Sequence, residues 1–149
     1  MNPNRKAFLD MIAFSEGTAH LGDNGYNVLV GGKLFDGYAD HPRRVVRLNE
    51  KLSSSAAGRY QLLARYFDFY KKLLKLPDFS PESQDAIAIQ QIKECRALND
   101  IDAGLFDIAI RKCSRIWASF PGAGYGQHEN KLENLRAAYE KAGGKAVTA

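Results

Sequence analysis

Apolar positions recur at helical spacing at both ends of the chain and lose it in between. From Pro3 to Gly17, the positions Leu9, Ile12, Ala13 and Glu16 fall on one stripe of an amphipathic helix. Proline suits its first turn and glycine its stop. From Leu21 to Leu52 the period shortens. Tyr26, Val28 and Val30 alternate with Asn27 and Leu29, Gly31-Gly32 marks a turn, and Lys33-Leu34-Phe35 runs to Asp36-Gly37. This predicts a small antiparallel sheet with tight turns, and Arg43 to Leu48 reads as a further short strand. Helical spacing returns with Leu63, Tyr66, Phe67, Tyr70 and Leu74, and ends before Pro77. It resumes behind a Ser80-Pro81 start with Ala88, Ile89, Ile92 and Cys95. Phe106, Ala109, Ile110, Cys113 and Trp117 make the next stripe, and Leu132, Leu135 and Tyr139 line a last helix that Gly143-Gly144 stops. The expected class is α+β, with a small sheet lobe and a helical lobe flanking a groove.

A chain of 149 residues fits a single domain, residues 1–149, large enough for a real core. With 45% hydrophobic and 26% charged residues and no low-complexity tract, it is not a disordered chain. The formal charge of +4 suits nucleic acid, an anionic membrane or an acidic wall polymer. The basic pairs Arg43-Arg44, Lys71-Lys72 and Arg111-Lys112 are dispersed and form no nucleic-acid tail. Cys95 and Cys113 fit apolar stripes and read as reduced core thiols; His20, His41 and His128 are scattered. Neither set has metal-ligand spacing, so no metal or other cofactor is expected. Asp10 and Glu16 interrupt the apolar stretch behind Arg5 and Lys6, which is too short and charged for a signal sequence or a spanning helix. The expectation is synthesis in the cytoplasm without membrane insertion.

Three stretches hold candidate chemistry. In Phe8–Thr18, "FLDMIAFSEGT", Glu16 continues an apolar stripe at the negative end of a helix. Both circumstances raise the cost of its ionised form and so its pKa, which is what a proton donor to a leaving oxygen needs. A solvated residue at a helix end is the plain alternative. In Ser53–Leu63, "SSSAAGRYQLL", Gly58 lets backbone approach a ligand while Arg59, Tyr60 and Gln61 offer polar groups; taken alone, the stretch reads better as a flexible linker entering a helix. In Pro121–Gln127, "PGAGYGQ", the glycines do not match a dinucleotide fingerprint. That segment is either a loop presenting Tyr125 to a polymer or an interhelical turn.

Together these stretches, with "YNVLVGGKLF", "YADHPRRVV" and "FSPESQDAIAIQQIKE", resemble the lambda endolysin family in sequence, order and spacing. The resemblance runs from about Arg5 to Gly144; the segment Thr18–Asn24 is shorter than in that family and the tail differs. It implies a lysozyme-like fold and a peptidoglycan lytic transglycosylase that cuts the β-1,4 bond between N-acetylmuramic acid and N-acetylglucosamine without water. It implies Glu16 as the catalytic acid, Gly58, Arg59, Tyr60 and Gln61 as a sugar-binding turn, and Tyr125 as part of the opposite wall. It further implies release through a phage-encoded membrane pore to act on periplasmic peptidoglycan and lyse the host; a monomer without a nucleic-acid partner is expected beside it. Two other readings stand beside it. A hydrolytic muramidase would pair Glu16 with Asp23, Asp36 or Asp40. A non-catalytic glycan- or nucleic-acid-binding domain would need no acid at all.

Overall fold

The computed structural model describes residues 1–147. Their contacts divide into two compact units: Thr18–Ile87, and Met1–Gly17 together with the chain from Ala88 onward.

The second of these is helical, and its centre is α1 (Pro3–Glu16). The Asn2 side chain caps the start by accepting from Asn4 N–H at 2.8 Å, and Pro3 takes the first position. Burial extends well beyond a single stripe: Ala7, Phe8, Leu9, Met11, Ile12, Ala13 and Ser15 are all buried. The reason is that α1 packs on both α4 (Leu98–Asp102) and α6 (Leu132–Lys141). Phe8 meets Phe106, Phe120 and Tyr139 edge-on, with ring centroids 6.0, 6.4 and 6.4 Å away. Phe106 opens α5 (Phe106–Cys113), which ends before Trp117, although Trp117 is buried as its stripe position requires. Helix α4 is too short to show periodicity and was not expected; Arg5 of α1 holds it through a two-pronged bond to Asp102 at 2.9 and 2.7 Å. Cys95 and Cys113 are free and buried.

In the other unit the expected sheet is smaller and displaced. The one paired sheet among the described residues joins β1 (Val46–Arg47) to β2 (Ser53–Ser54), antiparallel. The first strand lies in the expected Arg43–Leu48 segment and the second in the stretch read as a linker. The Tyr26–Phe35 run forms only an isolated bridge, Val28 to Leu34. Gly31 and Gly32, at φ +90° and +99°, turn the chain after too few residues for a ladder. Leu29 also bridges to Ala57, so Val28 and Leu29 are both buried instead of alternating. Helix α2 (Ala64–Leu74) buries Phe67 and Tyr70 but turns Tyr66 outward, 45% exposed, against expectation. Helix α3 (Pro81–Glu94) runs from this unit into the other, and Ser80 Oγ accepts from Ser83 N–H at its start, 3.3 Å. The core joins Leu29, Phe35, Leu62, Phe67, Phe79 and Ile87. His41 is packed among them, its Nε2 donating to Leu62 C=O (2.8 Å) while Nδ1 accepts from Arg43 N–H (2.9 Å). Burial holds its pKa below the usual histidine value, so it stays neutral.

Gly58 closes this core at φ +84°, where an added Cβ would lie 2.4 Å from Gln84 Oε1 and 2.9 Å from Phe79 Cζ. Gly122 has a similar φ, +81°, but open space around it. Gly58→Ala is therefore expected to cost roughly 2–4 kcal/mol, strain plus clash, and Gly122→Ala roughly 1 kcal/mol, strain alone. Urea denaturation of the two variants measures the difference; equal costs would show that Gln84 and Phe79 yield freely.

Candidate active site

Glu16 is the last residue of α1. Gly17 follows in the left-handed conformation, φ +77°, and its N–H closes the helix onto Ala13 and Phe14 C=O. The carboxyl is held on one side only. Ser119 Oγ donates to Oε2 at 2.5 Å, Ser15 Oγ lies 2.7 Å from Ser119 Oγ, and Asn130 Nδ2 donates to both Ser15 C=O (3.0 Å) and Ser15 Oγ (3.1 Å). Asn130 N–H also donates to Ser119 C=O at 2.7 Å. Burial lifts the Glu16 pKa from its ordinary 4.5 to about 7, against the smaller opposing pull of the Ser119 hydroxyl, which favours the charged form. No second carboxyl contributes to that shift. The group is thus a neutral acid with a change of charge near pH 7, suited to giving a proton and taking one back.

Ser119 and Asn130 also clamp the base of the glycine-rich loop between them. Glu129 organises it by accepting from Gly122 N–H (2.9 Å) and Gly124 N–H (3.0 Å), bonds that hold its own pKa below the usual carboxylate range. The ring of Tyr125 is 56% exposed, and its hydroxyl donates to Arg115 C=O at 3.0 Å. The loop thus spends a carboxylate on its own backbone and leaves an aromatic ring largely outside.

In the other unit, the Gly58–Gln61 turn is braced from several sides. Gln84 Oε1 accepts from Arg59 N–H (2.9 Å) while its Nε2 donates to Tyr26 and Phe79 C=O (both 3.0 Å). Thr18 Oγ1 donates to Arg59 C=O at 2.6 Å, and Arg59 Nε donates to Asn24 C=O at 2.9 Å. Both ends of the short Thr18–Asn24 segment thereby hold Arg59. Tyr60 is buried and donates to Asp85 Oδ1 at 2.6 Å, and Tyr26 donates to the same carboxylate at 3.0 Å. Gln61, at φ +55°, uses Nε2 on Gly58 C=O (2.9 Å) and Val28 C=O (3.2 Å). Much of the polar chemistry that the sequence offered for binding here is thus spent on the turn itself.

The structure brings Glu16 and the Tyr125 loop into one unit and gathers Gly58, Arg59, Tyr60 and Gln61 in the other. Sequence reasoning missed Ser15, Ser119, Asn130, Glu129, Gln84 and Asp85. Ser15, Gln84 and Asp85 sit within quoted helical stretches and Ser119 lies before the glycine loop, but no spacing marks any of them as polar partners. Two of the three candidate partner acids are engaged elsewhere: Asp23 Oδ2 accepts from Tyr38 OH at 2.6 Å, and Arg43 binds Asp40 at 2.9 Å, which lowers the Asp40 pKa.

The raised Glu16 pKa has a consequence for stability. Between the ordinary value of 4.5 and about 7, the folded chain holds a proton that the unfolded chain has lost. Stability from this group therefore falls as pH rises through that window. Glu16→Gln does not titrate, so its stability relative to the native chain is expected to grow between about pH 4 and pH 8, by at most on the order of 3 kcal/mol. Melting both proteins across that range is the check; a constant difference would mean that the carboxyl is solvated.

Known proteins share this architecture closely. The Endolysin family model matches residues 6–146. The chain is 58% identical over 148 residues to the endolysin of Escherichia phage lambda, covering 97% of this chain and 94% of that protein. It is 49% identical over 156 residues to the endolysin of Escherichia phage P2, covering 95% and 93%. The solved structure of bacteriophage lambda lysozyme complexed with a chitohexasaccharide superposes with a TM-score of 0.97 at 57% identity, covering 99% of this chain and 98% of that one. A second structure of lysozyme from bacteriophage lambda gives 0.92 at 56%, with the same coverage. The fold is therefore the expected lysozyme-like α+β. With a family model spanning almost every residue and relatives this close along their whole length, the chain belongs to the endolysin family.

Proposed function

We propose that this chain is a phage endolysin that degrades host peptidoglycan as a lytic transglycosylase, both units serving one catalytic domain. Membership of the endolysin family supports action on the cell wall, and the chitohexasaccharide bound to the lambda lysozyme supports a β-1,4-linked glycan strand as substrate. The observation that carries the mechanism is the setting of Glu16: its carboxyl is held by the Ser119 hydroxyl, no carboxylate among the described residues is hydrogen-bonded to it, and burial pushes its pKa up to about 7.

Glu16 gives its proton to the glycosidic oxygen as positive charge develops at the anomeric carbon of N-acetylmuramic acid. The carboxylate left behind takes the proton of that sugar's C6 hydroxyl, and the hydroxyl oxygen closes on the anomeric carbon as a 1,6-anhydro ring. The nucleophile belongs to the sugar and is already close, so no second carboxylate has to activate water. For hydrolysis, the engagement of Asp40 by Arg43 and of Asp23 by the Tyr38 hydroxyl speaks against those two as the water-activating base and leaves Asp36 as its candidate. Arg59 and Gln61, both half-buried, are proposed to meet the sugars, Gly58 and Tyr60, both buried, to shape and brace the turn from within, and Tyr125 to offer its exposed ring. The enzyme acts in this reading as a monomer on peptidoglycan outside the host cytoplasm, reaching it through a membrane pore made by the phage. No described helix is long and apolar enough to cross a membrane.

Digestion of peptidoglycan in heavy-oxygen water is expected to leave muramic acid ends unlabelled and in the anhydro form. Label at the anomeric carbon would establish hydrolysis.

Glu16→Gln is expected to lose roughly two to four orders of magnitude in wall clearing, since one group serves both half-reactions. Asp23→Asn and Asp40→Asn are expected to stay within about tenfold of the native rate, as groups without an acid–base role. A turbidity assay on chloroform-treated cells decides this. Near-native clearing by Glu16→Gln would end the reading, and a collapse in Asp23→Asn with unchanged melting would favour the muramidase.

A further inference from the structure

We propose that Ser119 is a positioning residue for the reaction: ordered by Ser15 and Asn130, its hydroxyl occupies Oε2 of Glu16 as a donor and assigns both proton movements to Oε1. The proposal rests on Glu16 being the acid and base. The direction of the chain follows from its far end. An amide nitrogen donates and never accepts, so Ser15 Oγ, 3.1 Å from Asn130 Nδ2, is an acceptor there. The proton of Ser15 then has Ser119 Oγ, 2.7 Å away, as its acceptor. Ser119 in turn places its own proton on Glu16 Oε2. The frame is fixed by backbone as well as side chains, because Asn130 donates to Ser15 C=O and, through its own N–H, to Ser119 C=O.

A carboxyl proton on Oε2 would leave one hydroxyl of this chain without an acceptor. Ser119 would accept from Glu16; if it then donated to Ser15, the proton of buried Ser15 would have no acceptor among the described residues, and if it accepted from Ser15 as well, its own proton would have none. Buried donors without acceptors are costly, so the acid proton resides on Oε1. Oε1 has no protein partner recorded among the described residues.

In the first half-reaction the Oε1–H bond breaks as the glycosidic oxygen takes the proton and leaves with the electron pair of its bond to the anomeric carbon. In the second, the C6 hydroxyl oxygen bonds to that carbon and its proton passes to Oε1. One oxygen serves twice, and the carboxyl need not rotate between the steps. Oε2 keeps the Ser119 bond throughout, and that bond strengthens while the carboxylate is charged.

The test uses the full chain as Ser119→Ala, Ser119→Thr and Asn130→Ala, with kcat and KM on solubilised peptidoglycan from about pH 5 to pH 9 and a melt of each. Ser119→Ala is expected to lower kcat roughly tenfold with KM nearly unchanged. It should also move the alkaline limb of kcat to higher pH, because a donor favouring the charged carboxylate is gone. Ser119→Thr should restore both, and Asn130→Ala should move the limb the same way by less. An unmoved limb in folded Ser119→Ala, or a shift that threonine does not reverse, overturns the proposal. If Ser119→Ala does not fold, Asn130→Ala decides, since an unmoved limb there refutes the ordering chain. Failure of the underlying reading would be seen separately, as wall clearing by Glu16→Gln.

Discussion

Burial of α1 up to its last turn is the constraint on which the chemistry depends. From Ala7 to Ala13 every residue except Asp10 is buried, and Gly17 ends the helix at a fixed point by taking the left-handed conformation. Glu16 therefore sits where a buried helix runs out, short of water and beside the carbonyl end of the helix. Both conditions favour the neutral carboxyl. An acid that would be charged at neutral pH on the surface is here half protonated near pH 7. The cost is borne by the rest of the helix, whose apolar contacts with Phe106, Phe120 and Tyr139 hold it in place.

Both units solve a second problem in the same way. Loops rich in glycine have few backbone partners of their own, and each is held by a side chain that reaches in from a neighbouring segment. Glu129 accepts from two N–H groups of the Pro121–Gln127 loop. Gln84 takes one N–H and two carbonyls around the Gly58–Gln61 turn, while Asp85 collects two tyrosine hydroxyls beside it. Such braces reduce the conformational freedom of both segments before any ligand arrives. They also explain why Gly58 carries no side chain: Gln84 already fills the space.

A single acid is enough when the attacking hydroxyl belongs to the substrate, and the surroundings of Glu16 agree with that economy. Its carboxyl is bound by a hydroxyl rather than by a cation, so it is not locked in the charged form. A neighbouring lysine or arginine would have stabilised the carboxylate and removed the proton donor. Asp40, which does have such a neighbour in Arg43, shows the opposite shift.

The sequence by itself determined the helices and the place of one carboxyl with a raised pKa. The stripes of α1, α2, α3, α5 and α6 were legible because helical periodicity is a local property, and the caps at Pro3, Gly17 and Ser80 are local too. Glu16 was visible because a carboxylate on an apolar stripe breaks a local rule. Tertiary structure alone decided the sheet and the partners. Val28 and Leu29 are buried together because bridges to Leu34 and Ala57 flank them, which alternation along one strand cannot reveal. Tyr66 faces out although it shares a stripe with Phe67 and Tyr70, since a stripe does not say how wide its neighbour is. Ser119 and Asn130 lie more than a hundred residues from the carboxyl they order. A hydrogen bond acts over about 3 Å in space. Sequence separation carries no trace of it until the chain has folded.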